Sequence, residues 1–146
     1  MTFVKAYIYD MARKAQFDMQ QFFQALGDNT RLRLLNLMAD QEVCVCYFVE
    51  VLGGPQPKIS RHLAYLRNAG IVSARREGKW MHYRIVMPLQ IRATQILRQT
   101  LEWLKEDRAM QADRARFSRA CCAPAKYDLE DAPLPAFVSE PCCEVR

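Results

Sequence analysis

The chain has 146 residues, of which 51% are hydrophobic and 25% are charged. This composition is typical of a single globular domain and excludes a disordered chain. No apolar run approaches the ~18 residues that a membrane span requires. Asp10, Arg13 and Lys14 stand where a signal peptide would be apolar. We therefore expect a cytoplasmic protein that has no membrane partner.

Basic residues are concentrated in one part of the chain, whose net charge is +5. Residues 1–120 carry 19 Lys and Arg against 11 Asp and Glu, whereas residues 121–146 carry 2 against 5. The densest stretch, residues 57–84, has seven basic side chains and a single acidic one, Glu77. Such a patch is typical of a phosphate-binding surface, but a solvated basic face has the same composition. Charge alone leaves both interpretations open.

Apolar spacing predicts two helices in the first 38 residues. Residues 2–27 contain no glycine or proline before Gly27, and their apolar residues recur at intervals of three and four. Asp28 or Asn29 is a suitable N-cap for a second helix that ends near Met38.

Two further helices are predicted on either side of a tight turn. Residues 41–52 form the third helix, which the sequence Gly53-Gly54-Pro55 ends. Pro57 opens the fourth helix at a position where its missing N–H costs nothing. This helix extends to about Asn68 and buries one stripe, which consists of Ile59, Leu63 and Leu66.

A β-hairpin and a long helix complete the predicted domain. Residues 71–76 and 80–86 are rich in β-branched and aromatic side chains and flank a Glu-Gly-Lys turn. A long helix begins after Pro88 and can continue to the end of the domain. This order predicts a mainly α fold with a small β-hairpin, a winged helix-turn-helix over residues 1–120. An acidic, proline-containing and cysteine-bearing tail follows over residues 121–146.

The fourth helix and the hairpin are suited to contact DNA. A helix that enters the ~12 Å wide major groove needs short polar and basic side chains on its outer face. Basic residues at the tip of a hairpin reach the adjacent minor groove or its phosphates. The alternative is an ordinary helical hairpin with a basic rim. The predicted DNA-binding residues are Gln56, Lys58, Ser60, Arg61 and His62 on the helix and Arg75, Arg76 and Lys79 on the hairpin.

Six cysteines form three close pairs in the sequence, Cys44 with Cys46, Cys121 with Cys122, and Cys142 with Cys143. A reducing compartment disfavours disulfides, so metal or metalloid binding, or redox sensing, is the favoured role. The chain contains no C-x-x-C motif, which argues against a thioredoxin-type site and against paired zinc knuckles.

Four segments of the chain form a series: Ala25–Leu35, Glu42–Cys46, Gln56–Leu66, and Arg76–Trp80 together with His82–Arg84. In this order they resemble the ArsR/SmtB family of metal-responsive transcriptional repressors, and most closely its arsenical-sensing members. The resemblance covers about residues 18–105. It implies a homodimeric repressor that binds operator DNA without inducer and releases it when the inducer binds. The dimer would be built from the first and last helices, about residues 3–25 and 88–110.

The resemblance also implies that Cys44 and Cys46 bind trivalent arsenic or antimony, supplied as arsenite, methylarsenite or antimonite, with no organic cofactor. Thiolates are the ligands that such soft ions prefer. Many family members have a third cysteine three residues after the second, and Val49 occupies that position here. The alternative is that the two cysteines are small buried residues near a helix start.

A strain argument gives a mechanism for release. Residues two apart on an intact helix point about 200° away from each other. Cys44 and Cys46 can therefore bind one ion only if the start of the third helix distorts. We expect this distortion to shift the fourth helix and to weaken operator binding.

The C-terminal cysteines are further candidate ligands. Cys121 and Cys122 are candidate ligands from either subunit, because vicinal thiols bind trivalent arsenicals and one of them could complete a three-sulfur site. Cys142 and Cys143 are further candidates, or they deliver the ligand. The alternative is a set of oxidisable thiols that bind nothing.

The favoured function is a repressor of a metalloid-resistance operon, and the alternative is a thiol-redox or a cadmium- or lead-responsive repressor of the same fold. An enzyme is disfavoured, because no arginine lies six residues after a cysteine and no nucleotide-binding glycine motif is present. A module that acts through its tail alone is disfavoured by the basic domain.

His62 and His82 are interpreted as DNA-contacting or structural. Residues 88–113 contain no histidine, so the zinc site of the family is absent.

Overall fold

A computed structural model describes residues 4–5 and 16–137. Part of the predicted first helix, residues 2–3 and 6–15, and the pair Cys142–Cys143 lie outside the described residues. The helices are α1 (Met19–Leu26), α2 (Asn29–Met38), α3 (Val45–Leu52), α4 (Gln56–Asn68), α5 (Ile91–Glu106) and α6 (Arg108–Cys122), with a 3-10 turn at Pro124–Tyr127. The strands are β1 (Gln41–Cys44), β2 (Val72–Glu77), β3 (Trp80–Ile85) and β4 (Ala136–Phe137).

Aspartate caps set the starts of the first two helices. The carboxylate of Asp18 accepts a hydrogen bond from the Gln21 amide, and that of Asp28 accepts one from the Arg31 amide, both at 3.0 Å. The second cap and the end at Met38 confirm the predicted second helix. The prediction of one continuous helix over residues 2–27 is wrong, because residues 16–18 are not helical.

The third predicted helix is wrong in its first four residues. Gln41–Cys44 is a strand, and the helix starts only at Val45. Strand β1 pairs antiparallel with β3 on one side and with β4 on the other, in the sheet order β2-β3-β1-β4. Strands β3 and β4 supply hydrogen-bond partners for backbone N–H and C=O groups of β1, which would otherwise be left unpaired. The segment carrying the first cysteine is therefore part of the same sheet as the hairpin.

The predicted turn-helix and hairpin are confirmed. Helix α4 follows the tight turn at residues 53–55 and buries the predicted stripe of Ile59, Leu63 and Leu66 in the core. Strands β2 and β3 form the hairpin, or wing, and Gly78 supplies the positive φ of 58° that its turn requires.

The predicted long helix is divided into two. Asp107 ends α5 and caps α6, where its carboxylate accepts a hydrogen bond from the Met110 amide at 3.0 Å. Helix α6 then packs back on α2 and α3, and the ring of Phe117 lies edge-on to Tyr47 at 5.7 Å. Residues 124–137, expected to be mostly irregular, contain the 3-10 turn and β4. No helix among the described residues is long and apolar enough to cross a membrane.

Candidate nucleic-acid interface and cysteine site

The outer face of α4 presents most of the predicted DNA-binding residues to solvent. Gln56, Lys58 and Arg61 are exposed, and Ser60 is partly exposed. The buried stripe on the opposite face fixes the direction in which these side chains project. The arrangement matches what entry into a major groove requires, a packed inner face and a polar outer face.

His62 is placed differently from the other predicted contacts. Its Nδ1 lies 3.6 Å from the Asp28 carboxylate and 3.5 Å from a guanidinium nitrogen of Arg31. The same guanidinium stacks over the ring of Tyr65 at 4.2 Å. His62 therefore connects α4 to the start of α2, and its role in DNA contact stays a prediction.

Two of the three predicted wing residues are available to a phosphate. Arg76 and Lys79 are exposed, and their contacts are local ones, with the Gly78 carbonyl at 3.1 Å and the Trp80 ring at 4.8 Å. Arg75 is engaged by two carboxylates instead. Its Nη2 lies 2.6 Å from Glu42 and its Nη1 lies 3.1 Å from Glu77. The guanidinium of Arg75 lowers the pKa of Glu42 by hydrogen bonding to its carboxylate.

Glu42 is absent from the residues that the sequence singled out, although it stands in the same motif as the two cysteines. Glu42 and Arg75 have opposite charges, but a helix over residues 41–52 gave no reason to place them together. Only the strand assignment of Gln41–Cys44 makes Glu42 a neighbour of the wing.

Cys44 and Cys46 lie side by side at the junction of β1 and α3. Cys44 is fully buried and has extended backbone, with φ −71° and ψ 143°, whereas Cys46 lies in the first turn of α3. The two Sγ atoms are 2.9 Å apart. The strain mechanism is therefore wrong in its premise, because Cys44 precedes the helix and no unwinding is needed to bring the sulfurs together.

The pair shares a proton in a way that favours one thiolate. Hydrogen bonding from the Cys46 thiol lowers the pKa of Cys44 to about 7, and the backbone amides of Cys46 and Val45 act in the same direction. The pKa of Cys46 is raised, first because its thiol proton is held in the hydrogen bond to Cys44. Burial and the negative charge of the neighbouring thiolate act in the same direction. Thiolate is the form that binds metals.

This coupling predicts a low ionisation step in solution. Thiolate ultraviolet absorbance should rise with pH around 7, by the equivalent of one thiol per chain, because Cys44 loses its proton there. Cys46→Ala should remove this step and return the ionisation of Cys44 towards the ordinary thiol range, near 8.5. Cys122→Ser is the matched control and should keep the step. A low step that survives in Cys46→Ala would contradict the shared proton.

The two predicted C-terminal ligands lie at the end of α6. Cys121 is buried and Cys122 is exposed. No three His, Cys, Asp or Glu side chains within residues 4–5 and 16–137 are close enough together to hold a metal ion. One protomer thus does not bring Cys121 or Cys122 together with Cys44 and Cys46, and their role as ligands stays a prediction.

The part of the chain that carries α4 and the cysteine pair is similar to known proteins. A family model described as "Bacterial regulatory protein, arsR family" matches residues 28–74, which span α2 to the start of β2. The arsenical resistance operon repressor of Escherichia coli K12 is 38% identical over 104 residues, which cover 70% of this chain and 87% of that protein. The chain belongs to the arsR family. This arsR-family protein is therefore a helix-turn-helix regulator of transcription rather than an enzyme.

Two other proteins are similar to this family member. The arsenic resistance transcriptional regulator ArsR2 of Pseudomonas putida KT2440 is 41% identical over 90 residues, which cover 58% of this chain and 78% of that protein. The crystal structure of the AntR antimony-specific transcriptional repressor has 31% identity and a TM-score of 0.45, over 59% of this chain and 78% of that one.

Proposed function

We propose that this arsR-family protein represses transcription by binding an operator and is released when trivalent arsenic or antimony binds to Cys44 and Cys46. The observation that carries the proposal is the 2.9 Å separation of the Sγ atoms of Cys44 and Cys46. The relatives named as an arsenical resistance operon repressor and as an arsenic resistance transcriptional regulator support the same choice of inducer.

The chemistry of the pair suits a soft trivalent ion. Arsenous acid would exchange two of its hydroxyl groups for the sulfurs of Cys44 and Cys46. The thiol proton of Cys46 would leave with one hydroxyl as water, and the hydroxide that the Cys44 thiolate displaces would take its proton from the solvent. Because the pKa of Cys44 is lowered to about 7, a substantial fraction of this thiol is ionised at neutral pH and supplies the attacking thiolate. Two sulfurs satisfy a monomethylated arsenical, and inorganic arsenite would gain from a third sulfur, for which Cys121 and Cys122 remain the candidates.

Release need not involve unwinding of α3. Cys44 is fully buried, and its backbone pairs with His82 in strand β3 of the wing. An atom inserted between the two sulfurs needs space that a close-packed interior does not hold. We therefore expect the inserted atom to displace β1 against the wing and α3 against α4, one of the helices on which α3 packs.

The proposed repressor acts as a homodimer, which the family resemblance builds from the first and last helices, about residues 3–25 and 88–110. Helix α5 lies in the second of these segments. Trp103 of α5 is 76% exposed and borders an apolar groove of about 730 Å³, which Leu26, Leu32 and Met110 also line. Trp103→Glu should convert the dimer to a monomer in analytical ultracentrifugation, because a second copy would otherwise bury the indole. Arg98→Glu, on another side of α5, is the control. A Trp103→Glu dimer of unchanged stability would contradict this interface.

A single experiment separates the proposed inducer from its alternatives. A labelled duplex that the protein selects from a random-sequence pool is titrated with protein in the presence of arsenite, antimonite or cadmium under reductant, or of peroxide after the reductant is removed. Arsenite or antimonite should weaken binding about 5- to 150-fold, the usual range of coupling between two sites. Release by cadmium or peroxide, without release by arsenite or antimonite, would overturn the proposal.

A further inference from the structure

One row of side chains crosses the sheet from the cysteine pair to the outer strand of the wing. Cys44 in β1 is the register partner of His82 in β3, and His82 is the register partner of Arg75 in β2. Residues directly opposite each other in an antiparallel sheet point to the same face. Cys44 and His82 are buried and Arg75 is exposed, so the row leads from the proposed inducer site to the surface of the wing.

Two carboxylates, those of Glu42 and Glu77, contact this row of side chains. Glu42 lies two residues before Cys44 on β1, and its Oε1 lies 2.6 Å from Arg75 Nη2 and 3.8 Å from His82 Nδ1. Glu77 lies two residues after Arg75 on β2, and its Oε2 lies 3.1 Å from Arg75 Nη1 and 3.2 Å from His82 Nε2. Each carboxylate thus contacts both Arg75 and His82.

The Glu42–Arg75 pair joins two strands that are not neighbours. Strand β3 lies between β1 and β2, so the backbone ladder connects the cysteine strand only to the inner strand of the wing. Arg75 donates to Glu42 through both Nε, at 3.2 Å, and Nη2. Such forked contacts depend strongly on orientation. A shift of β1 at Cys44 would carry Glu42 with it and would disturb this contact.

We propose that Glu42 and Arg75 are positioning residues that transmit occupancy of the Cys44–Cys46 pair to the wing. This inference rests on the proposed function. Without inducer, the pair holds the outer wing strand against the cysteine strand in the DNA-binding orientation. With inducer bound, β1 moves, the forked contact is lost, and the wing no longer keeps that orientation.

A purely stabilising ion pair would behave differently. Exposed ion pairs contribute little to the free energy of unfolding, and their removal leaves the ratio of operator affinities with and without inducer unchanged. That ratio, the coupling ratio, is therefore the quantity to measure.

The test compares Glu42→Gln with Glu50→Gln. Both variants change a glutamate to its amide, but Glu50 lies on α3, outside the ion pairs of the wing. Each variant is titrated against the selected duplex with and without arsenite, and arsenite binding is measured separately by protection of the thiols from alkylation. Glu42→Gln should bind arsenite as the unmodified chain does and should lower the coupling ratio at least fivefold. Glu50→Gln should keep the ratio.

Further variants test whether a lowered coupling ratio is due to loss of the Glu42–Arg75 contact. Arg75→Gln should lower the coupling ratio as Glu42→Gln does, and the double variant should lower it no further, because both remove the same interaction. If Glu42→Gln does not fold, Glu42→Asp keeps the charge, shortens the reach to Arg75, and should also lower the ratio. An unmodified chain that arsenite does not release would contradict the proposed function, and this inference with it. Normal release of the unmodified chain together with an unchanged ratio in Glu42→Gln would overturn the transmitting role alone.

Discussion

Cys44→Ser should give a protein that binds its operator and does not respond to arsenite. Serine is close in size to cysteine but supplies a hard oxygen, which does not compete with thiolate for a soft trivalent ion. Cys44 lies at the start of α3, away from the outer face of α4, so affinity for the selected duplex without arsenite should be retained. With arsenite, the unmodified chain should lose affinity by about 5- to 150-fold, whereas the variant should change by less than about twofold.

Three companion variants decide which sulfurs matter. Cys46→Ser should behave like Cys44→Ser, because each thiol supplies one of two bonds. Cys122→Ser, an exposed cysteine at the end of α6, tests the C-terminal pair. Loss of the arsenite response in Cys122→Ser would make that pair an essential part of the site. Release of the Cys44→Ser/Cys46→Ser double variant by arsenite would show that the inducer binds elsewhere.

Elements with local signals were predictable from the sequence. The stripe of Ile59, Leu63 and Leu66, together with Pro57 at the start, defines α4 within a single short segment. The wing is also defined within a short segment, because its two strands are adjacent in sequence and Gly78 marks the turn between them. The outward direction of the predicted DNA contacts on α4 follows from that stripe.

Strand β1 was not predictable by the same means. Residues 41–52 contain a nearly continuous apolar run, which periodicity alone does not assign to a helix or to a strand. The strand is specified by partners far along the chain, since Gln41 pairs with Phe137 and Cys44 pairs with His82. The error reached the chemistry, because a helical Cys44 would point away from Cys46. The Glu42–Arg75 contact was missed for the same reason.

The division of the C-terminal helix also depends on distant contacts. No glycine or proline separates α5 from α6, and Asp107 is the one local indication of a break. What turns α6 back onto the core is its packing. Asn36 donates a hydrogen bond to the Met110 carbonyl at 3.0 Å, and Arg33 pairs with Asp113, 80 residues further along the chain. A single sequence does not reveal such pairs.

Asp113→Ala should destabilise the protein by about 3 kcal/mol, because it leaves the charge of Arg33 without its partner in a largely buried position. The carboxylate of Asp113 is 4% exposed and accepts two hydrogen bonds from Arg33, at 2.6 and 2.9 Å. Part of the Arg33 side chain, 24%, reaches solvent, which keeps the loss at the lower end of the ~3–5 kcal/mol typical of broken buried pairs. The free energy of unfolding from urea titration measures the effect.

The comparison with a double variant tests the physical reason. Arg33→Met/Asp113→Leu removes both charges and keeps apolar volume at the junction of α2 and α6, so it should recover most of the stability that Asp113→Ala loses. Glu102→Ala breaks the exposed pair with Lys105 on α5 and should cost less than about 1 kcal/mol. If Asp113→Ala costs no more than Glu102→Ala, the pair does not hold α6 in place. A large loss in Asp113→Ala that the double variant restores would mean that Asp113 matters because it neutralises the charge of Arg33. Apolar contacts could then replace the ion pair in holding α6 behind α3, the helix that carries Cys46.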